Sequence, residues 1–311
     1  MTDPTTAASV ASRTRANEVS RSPWADAFRT LVRRPPVILA TLVVAFFVFV
    51  AVFPTLFTRT DPQRCDIAQS KIRPQWFDGP HPFGTDLHGC DLLAQLVHGA
   101  RPSLLLAVIV VGTSVVVGVV LGSLAGYYLG AADAIISRAL EVFLVVPLLL
   151  AALLVLSIFR NVHFGDGQLA VLAPPAIVLT MFAWMGYTRY TRASVLETKN
   201  LDYVMAARVL GASDFRIIFR HILPNAIAPV TALIPTAVAG IIAAEATLAF
   251  LGIGVRPPAI SWGIMISTNA DWFTGGYPYL LLFPLGCLIA TILALVVLGD
   301  ALRDALDPKL R

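Results

Sequence analysis

The sequence predicts an all-α integral membrane protein with six transmembrane helices. Three observations carry that reading. The 311 residues are 57% hydrophobic and only 14% charged, whereas a soluble domain has about 25% charged residues. Six apolar runs reach the length of about 20 residues that a helix needs to cross roughly 30 Å of hydrocarbon. Lys and Arg are shared unequally between the segments that join those runs, as they are across a membrane.

The runs cover 36–57, 102–128, 134–158, 168–188, 226–251 and 277–299, and the first, second, fourth and sixth hold no Asp, Glu, Lys or Arg. In lipid a continuous apolar run must be helical, because only a helix satisfies its own backbone. Barrel strands are about ten residues long and alternate apolar with polar, and these runs do neither.

Residues 1–35 precede the first run. A secretory signal places its apolar core almost at once, so the run that follows this polar stretch reads as a retained first helix. Residues 1–20, rich in Ala, Ser and Thr, read as disordered. Trp24, Phe28 and Leu31, backed by Arg29, Arg33 and Arg34, suit a helix resting on the inner leaflet. Residues 58–101 form the loop between the first two spans, 102–299 the core, and 300–311 a tail. Six spans put both termini on one side. That side, which also holds the turn near 129–133 and the segment 189–225, carries sixteen Lys and Arg against seven on the other. It is expected to face the cytosol. The net charge of +4 is then mostly an address, and no basic helix is interleaved with aromatics for nucleic acid.

Cys65 and Cys90 both fall in the external loop, where an oxidising compartment lets a bridge persist. Spacing does not fix their separation, so a disulfide and two free thiols both stay open. His81 and His88 are near, but no C-x-x-C spacing accompanies them and no metal site is expected. Gly118, Gly122 and Gly126 follow each other at four-residue intervals along the second span, with Gly112 before them. Close packing of helix backbones is the first reading and pore lining the second. Pro147, Pro174 and Pro175 are positioned to kink the third and fourth spans. Arg138 and Glu141, three apart in the third span, suit an intrahelical ion pair. Glu245 lies toward the outer end of the fifth span; it either caps or pairs with neighbours, or it contacts amines or couples protons, since intramembrane charge is costly.

The cytosolic stretch 203–225 reads as two short helices. Tyr203–Leu210 has good helix formers, and Gly211 accepts the left-handed geometry that ends a helix. Ser213 is a natural N-cap and Asp214 a favourable first-turn charge. Phe215, Ile218, Phe219 and Ile222 then share one helical face, with Arg216, Arg220 and His221 on the polar side, and Leu223-Pro224 stopping the element. That apolar face either lies on lipid headgroups or fills a groove on a cytosolic partner.

This segment resembles the EAA loop of ABC importer permeases, which runs E-A-A, three residues, Gly, nine residues, I-x-L-P. The matching positions are Met205-Ala206-Ala207, Gly211 and His221-Ile222-Leu223-Pro224, with Met205 in place of Glu and His221 in place of Ile. The variant A-A-R-x-L-G-A-S at 206–213 with H-I-L-P-N at 221–225 looks like the dipeptide and oligopeptide branch. So do HPFGTDLHGCDLLAQLVHGARPSL at 81–104, where Cys90 replaces a usual Arg, and AGYYLGAADAIISRALEVFLVVP at 125–147. EATLAFLGIGVRPPAISWGIMI at 245–266 and GDALRDALDPKLR at 299–311 complete the match. It favours the C-type permease of that branch. The resemblance implies a type I ABC importer permease fold in the bacterial cytoplasmic (inner) membrane. It also implies a second, B-type permease, two ABC ATPase subunits that carry ATP and Mg, and an extracytoplasmic solute-binding protein delivering peptide. Ala206, Ala207, Gly211, Ala212, Ser213, Asp214, Phe215, Ile218 and Phe219 would form the ATPase-coupling surface.

No glycine is followed by lysine, so no phosphate-binding loop is present, and no G-x-S-x-G or H-E-x-x-H motif points to an enzyme. ATP must then be hydrolysed by a partner. The rival reading is a proton-coupled secondary transporter, which usually shows paired intramembrane carboxylates and an internal repeat. A membrane scaffold without transport is a third class, separated by whether two ATPases co-purify.

Overall fold

The computed structural model describes residues 33–306 except 77, 160, 161, 163, 166 and 257. The Trp24/Phe28/Leu31 stripe, the polar N-terminus and the last residues of the tail lie outside the described residues. What is described is helical: α1 Pro35–Val52, α2 Leu92–Tyr128, α3 Gly130–Val145, α4 Leu148–Ile158 and α5 Gln168–Thr198. Then come α6 Asp202–Val209, the helical stretch α7 at 214–226, α8 Ala228–Phe250, α9 Trp262–Asn269 and α10 Tyr279–Leu306.

Five helices, α1, α2, α5, α8 and α10, are each long and apolar enough to span a membrane. The third span expected over 134–158 is not one straight helix: α3 and α4 meet at 87°. The cause is Val146-Pro147. Proline pushes the residue before it out of the α region, and Val146 (ψ 119°) and Pro147 (ψ 120°) are both extended. The bent pair still makes a crossing. The start of α5 lies beside the start of α2, with Gln168 and Pro102 lining one cavity, so the chain has returned to that side between the end of α2 and α5. Arg34, just before α1, pairs with Asp304 near the end of α10 at 3.1 Å. Both ends of the bundle therefore lie on one side, and among the described residues the five spanning helices and the bent pair, taken as one span, make up to six crossings.

Two helices outgrow their expected spans. α2 begins ten residues early because Asp91 caps it, its Oδ1 accepting from Ala94 N at 2.8 Å. The helix then runs on through Pro102. α5 continues past 188 because Tyr187, Thr191, Val195 and Thr198 keep a buried stripe at helical spacing. At 1.5 Å per residue α2 is about 55 Å long, well beyond the hydrocarbon. The two pack along the glycines: a Cβ at Gly122 would stand 2.6 Å from Thr188 O, and one at Gly126 2.9 Å from Arg192 O. Gly112 meets nothing within 4 Å and takes no part. The core lies between α1, α2, α8, α9 and α10, around Leu92, Leu96, Ile242, Trp262 and Leu280. Leu39, Leu42, Phe46, Val116, Leu154 and Leu293 point outward, as suits lipid.

Before α2, residues 65–91 form a wired loop. Cys65 and Cys90 are joined by a disulfide, with Cα atoms 4.1 Å apart. Asp86 Oδ1 accepts from His88 N and Cys90 N at 2.8 and 2.9 Å. His81 is held between Asp91 and Gln69 at 2.9 and 2.7 Å. Both ring nitrogens are thus engaged by side chains. In the native membrane neither Cys65 nor Cys90 should react with an impermeant maleimide until a reductant is added. Labelling of both thiols without reductant would contradict the bridge.

Candidate coupling surface

α6 begins with Asp202 in its first turn and ends with Arg208 in its last, both favoured by the helix dipole. It closes at Gly211, whose φ is +80°. Gly211 N donates to Arg208 O at 3.0 Å and Ala212 N to Ala207 O at 3.1 Å. This pair of bonds is the Schellman arrangement, with glycine at the position that needs left-handed geometry.

Ser213 then occupies the N-cap position of α7, but its side chain caps nothing. Asp214 has a more specific task than a dipole charge: its Oδ1 accepts the Tyr127 hydroxyl at 2.6 Å, tying α7 to the end of α2. α7 opens with Asp214–Arg216, widens into a π-turn over Ile217–Ile222 and closes with Leu223–Ala226. The i→i+5 pattern changes which residues share a face. Ile218, expected beside the two phenylalanines, is buried with Ile217 and Ile222, while Phe215 and Phe219 are 70% and 54% exposed. The two rings lie 4.3 Å apart. Nor does Leu223-Pro224 end the element. The proline falls in the first turn of its segment, where its missing N–H is no loss. Helical bonding continues into α8 through Ile227 N to Leu223 O and Thr231 N to Ile227 O, each 3.0 Å.

The pair α6–α7 is seated, not dangling. Val204, Ile217, Ile222 and Ala226 bury against Val195 of α5, with Tyr127 and Ala212 packed on them. Asn225 Nδ2 donates to the Tyr203 hydroxyl at 2.6 Å, and that hydroxyl donates to His221 O at 3.1 Å. Lys199 Nζ donates to Gly126 O at 2.8 Å. Burial, with Arg208 and Arg192 nearby, holds the Lys199 ammonium below its usual pKa. Arg192 grips both oxygens of Asp133 at 2.6 and 2.7 Å. Tyr127, Asp133, Lys199 and Tyr203 were not visible as site residues, because each partner lies in another element and no short motif links them.

The outer face of this unit is apolar and open. Val209 and Leu210 are 87% and 86% exposed, and Tyr203, Met205 and Ala206 are exposed as well. Ala207 is buried beneath them. Exposed apolar residues grouped beside charges such as Arg208, Arg216 and Arg220 mark an interaction surface more than a solvated one. Arg138 and Glu141 pair at 2.7 Å on an exposed face of α3, apart from this surface. Glu245 is far from it, sealed inside the bundle.

Residues 118–311 match the family model of the binding-protein-dependent transport system inner membrane component. Residues 22–74 match the N-terminal transmembrane domain of oligopeptide transport permease C. The chain is 33% identical to the oligopeptide transport system permease protein OppC of Bacillus subtilis over 94% of its own length and 92% of the relative's. It is 35% identical to the dipeptide transport system permease protein DppC of the same organism, over 92% and 86%. Among solved structures, an inward-facing form of the MetNI methionine ABC transporter shares the fold with a TM-score of 0.53 and 18% identity, covering 68% of this chain and 96% of that one.

Proposed function

The chain belongs to the family of binding-protein-dependent transport inner membrane components, and from that premise we propose that it is one of two permease subunits of an ATP-driven peptide importer. Its relatives are oligopeptide and dipeptide permeases, which supports peptide as the cargo. The second permease, two cytosolic ATPases and a binding protein would complete the assembly. The observation that carries this reading is the α6–α7 unit: phenylalanines outward, isoleucines inward, and braced to α2 and α5.

The unit works as a lever. ATP would draw the two ATPases together, and Phe215 and Phe219 would travel with the groove that holds them. The hydrogen bonds to Tyr127 and between Tyr203 and His221 keep α6–α7 from yielding. Motion therefore passes to α5 and α8, which join it at either end, and alternating access follows from rigid-body rocking. The chain itself hydrolyses nothing. Its residues hold a surface, transmit displacement and wall the path.

Both termini, and the lever with them, face the cytosol in this reading. Two independent features support it. One is the Lys/Arg excess. The other is α2, which starts beside the Cys65–Cys90 disulfide and ends at Tyr127 on the lever. A disulfide belongs in the oxidising compartment, so the lever lies on the reducing side, in the bacterial inner membrane.

The test is uptake of labelled di- to pentapeptides by cells carrying the complete system. Uptake should survive collapse of the proton gradient at constant ATP and stop when ATP is depleted. The reverse pattern would replace this proposal with a proton-coupled carrier.

A further inference from the structure

Glu245 lies near the end of α8 opposite the lever and is only 1% exposed. Its Oε1 accepts the Ser261 hydroxyl at 2.7 Å. Ser261 is also the N-cap of α9, its Oγ accepting from Ile264 N at 3.1 Å. A hydroxyl has one proton and two lone pairs. Giving the proton to Glu245 leaves a lone pair for the helix, so one oxygen joins α8 to the first turn of α9.

The same turn is fixed on its other sides. A Cβ at Gly263 would stand 2.8 Å from Ala246 Cα and 2.9 Å from Glu245 Oε2, so α9 rests directly on the α8 backbone. Trp262 N donates to Ser103 Oγ at 3.2 Å, and its indole N–H to Leu96 O at 3.0 Å, both on α2. Beyond the junction, Met265, Thr268 and Asn269 of α9 line a cavity of about 720 Å³ whose far wall includes Ile67, Asp86 and Cys90 of the disulfide loop. Being sealed, Glu245 meets no peptide amine. Its position is that of a fastener between the driven helix and the outer vestibule.

We propose that Glu245 is a positioning residue: through Ser261 it makes α9, and so one wall of the outer cavity, follow the displacement of α8. This rests on the lever reading above and extends it across the membrane. α8 is joined to α7 through the Ile227 N to Leu223 O and Thr231 N to Ile227 O bonds. Although Pro229 opens it and Pro235 lies inside it, α8 runs on as one helix past Glu245, so displacement at the cytosolic end is carried along it. An apolar residue at 245 would still fill space, but the Ser261 proton would lose its acceptor. Hydrogen-bond capacity, rather than charge, is what the junction requires.

The experiment uses the complete importer in nanodiscs, with Cys287→Ser and spin labels at Thr268→Cys and Ile67→Cys across the cavity. Adding a non-hydrolysable ATP analogue should shift the interlabel distance when Glu245 and Ser261 are intact. The shift should persist in Glu245→Gln, whose amide oxygen still accepts from Ser261, and be lost in Ser261→Ala and Glu245→Ala. The double variant should be no worse than either single one. Ser261→Ala removes a single oxygen and serves where Glu245→Ala fails to assemble. A shift that persists in Ser261→Ala overturns the proposal, as does Glu245→Gln behaving like Glu245→Ala, or no shift with both residues intact while uptake needs ATP. Uptake that ignores ATP defeats the functional reading instead.

Discussion

Phe215→Asp is expected to reduce ATP-driven peptide uptake to background while the permease still accumulates in the membrane. The two halves of that outcome have separate causes. Phe215 is 70% exposed and touches chiefly Phe219, so its loss removes little of the internal packing. Substitutions at such surface positions usually stay within about 0.5 kcal/mol. At the interface the balance differs. Truncating a buried aromatic anchor costs about 2 kcal/mol or more, and a carboxylate moved into an apolar groove adds its own desolvation. Each 1.4 kcal/mol is a factor of about ten in association, so a loss of 30-fold or more in ATPase binding is expected. Ile217→Asp makes the contrast. That side chain is fully buried in the seat of the lever, and its replacement should lower the amount of folded permease itself. The measurements are permease level in membranes, ATPase subunits recovered with it, and uptake. Normal uptake by Phe215→Asp would remove the docking role from this face.

The contrast between Phe215 and Ile217 also shows what a sequence can disclose. Period 3.6 placed Phe215, Ile218, Phe219 and Ile222 on one face, but only the two phenylalanines point outward, while Ile218 and Ile222 both turn inward. The isoleucines part from them because Ile217–Ile222 is wound as a π-turn, and no local residue choice announces one. Prolines show the same limit. Pro147 turns the chain by 87°, while Pro174 and Pro175 sit inside α5 and Pro102 inside α2 without ending either. Whether a proline breaks a helix depends on what its neighbours pack against, and that is tertiary information. Gly211 was legible because one residue type answers one backbone need. The spans were legible because lipid tests only length and polarity. Glu245 stood out as a charge in an apolar run, but Ser261 lies sixteen residues away across a loop, so its role was hidden. The wiring under the lever was hidden for the same reason, since Tyr127, Lys199 and Asp133 find their partners only after α2, α3 and α5 are assembled.

The second large effect is expected at Gly122. Gly122→Val should prevent stable accumulation of the permease, whereas Gly112→Val should accumulate normally. Both glycines lie on the same helix, so loss of glycine flexibility cannot separate them. The space they face can. At Gly122 a Cβ would stand 2.6 Å from both Thr188 O and Thr191 Cβ, and 3.0 Å from Arg192 N. Those are backbone atoms and a branched Cβ, none of which can swing aside. α2 and α5 must separate to admit it, and overpacking of this kind costs about 1–3 kcal/mol before its neighbours respond. They will respond, because one turn further along the same seam Lys199 reaches Gly126 O and Arg192 grips Asp133. Those contacts are made at 2.8 and 2.6 Å, and a shift of about 1 Å exceeds what a hydrogen bond of that length tolerates. The α2–α5 spacing also sets the height of Tyr127 above α7, so a partly tolerated variant such as Gly122→Ala should still weaken coupling. Thermal unfolding of the detergent-solubilised complex, followed for all three variants, checks the order: Gly112→Val near wild type, Gly122→Ala lower, Gly122→Val lowest or absent. Equal stability at the two positions would mean that the glycine seam does not set the helix spacing on which the lever stands.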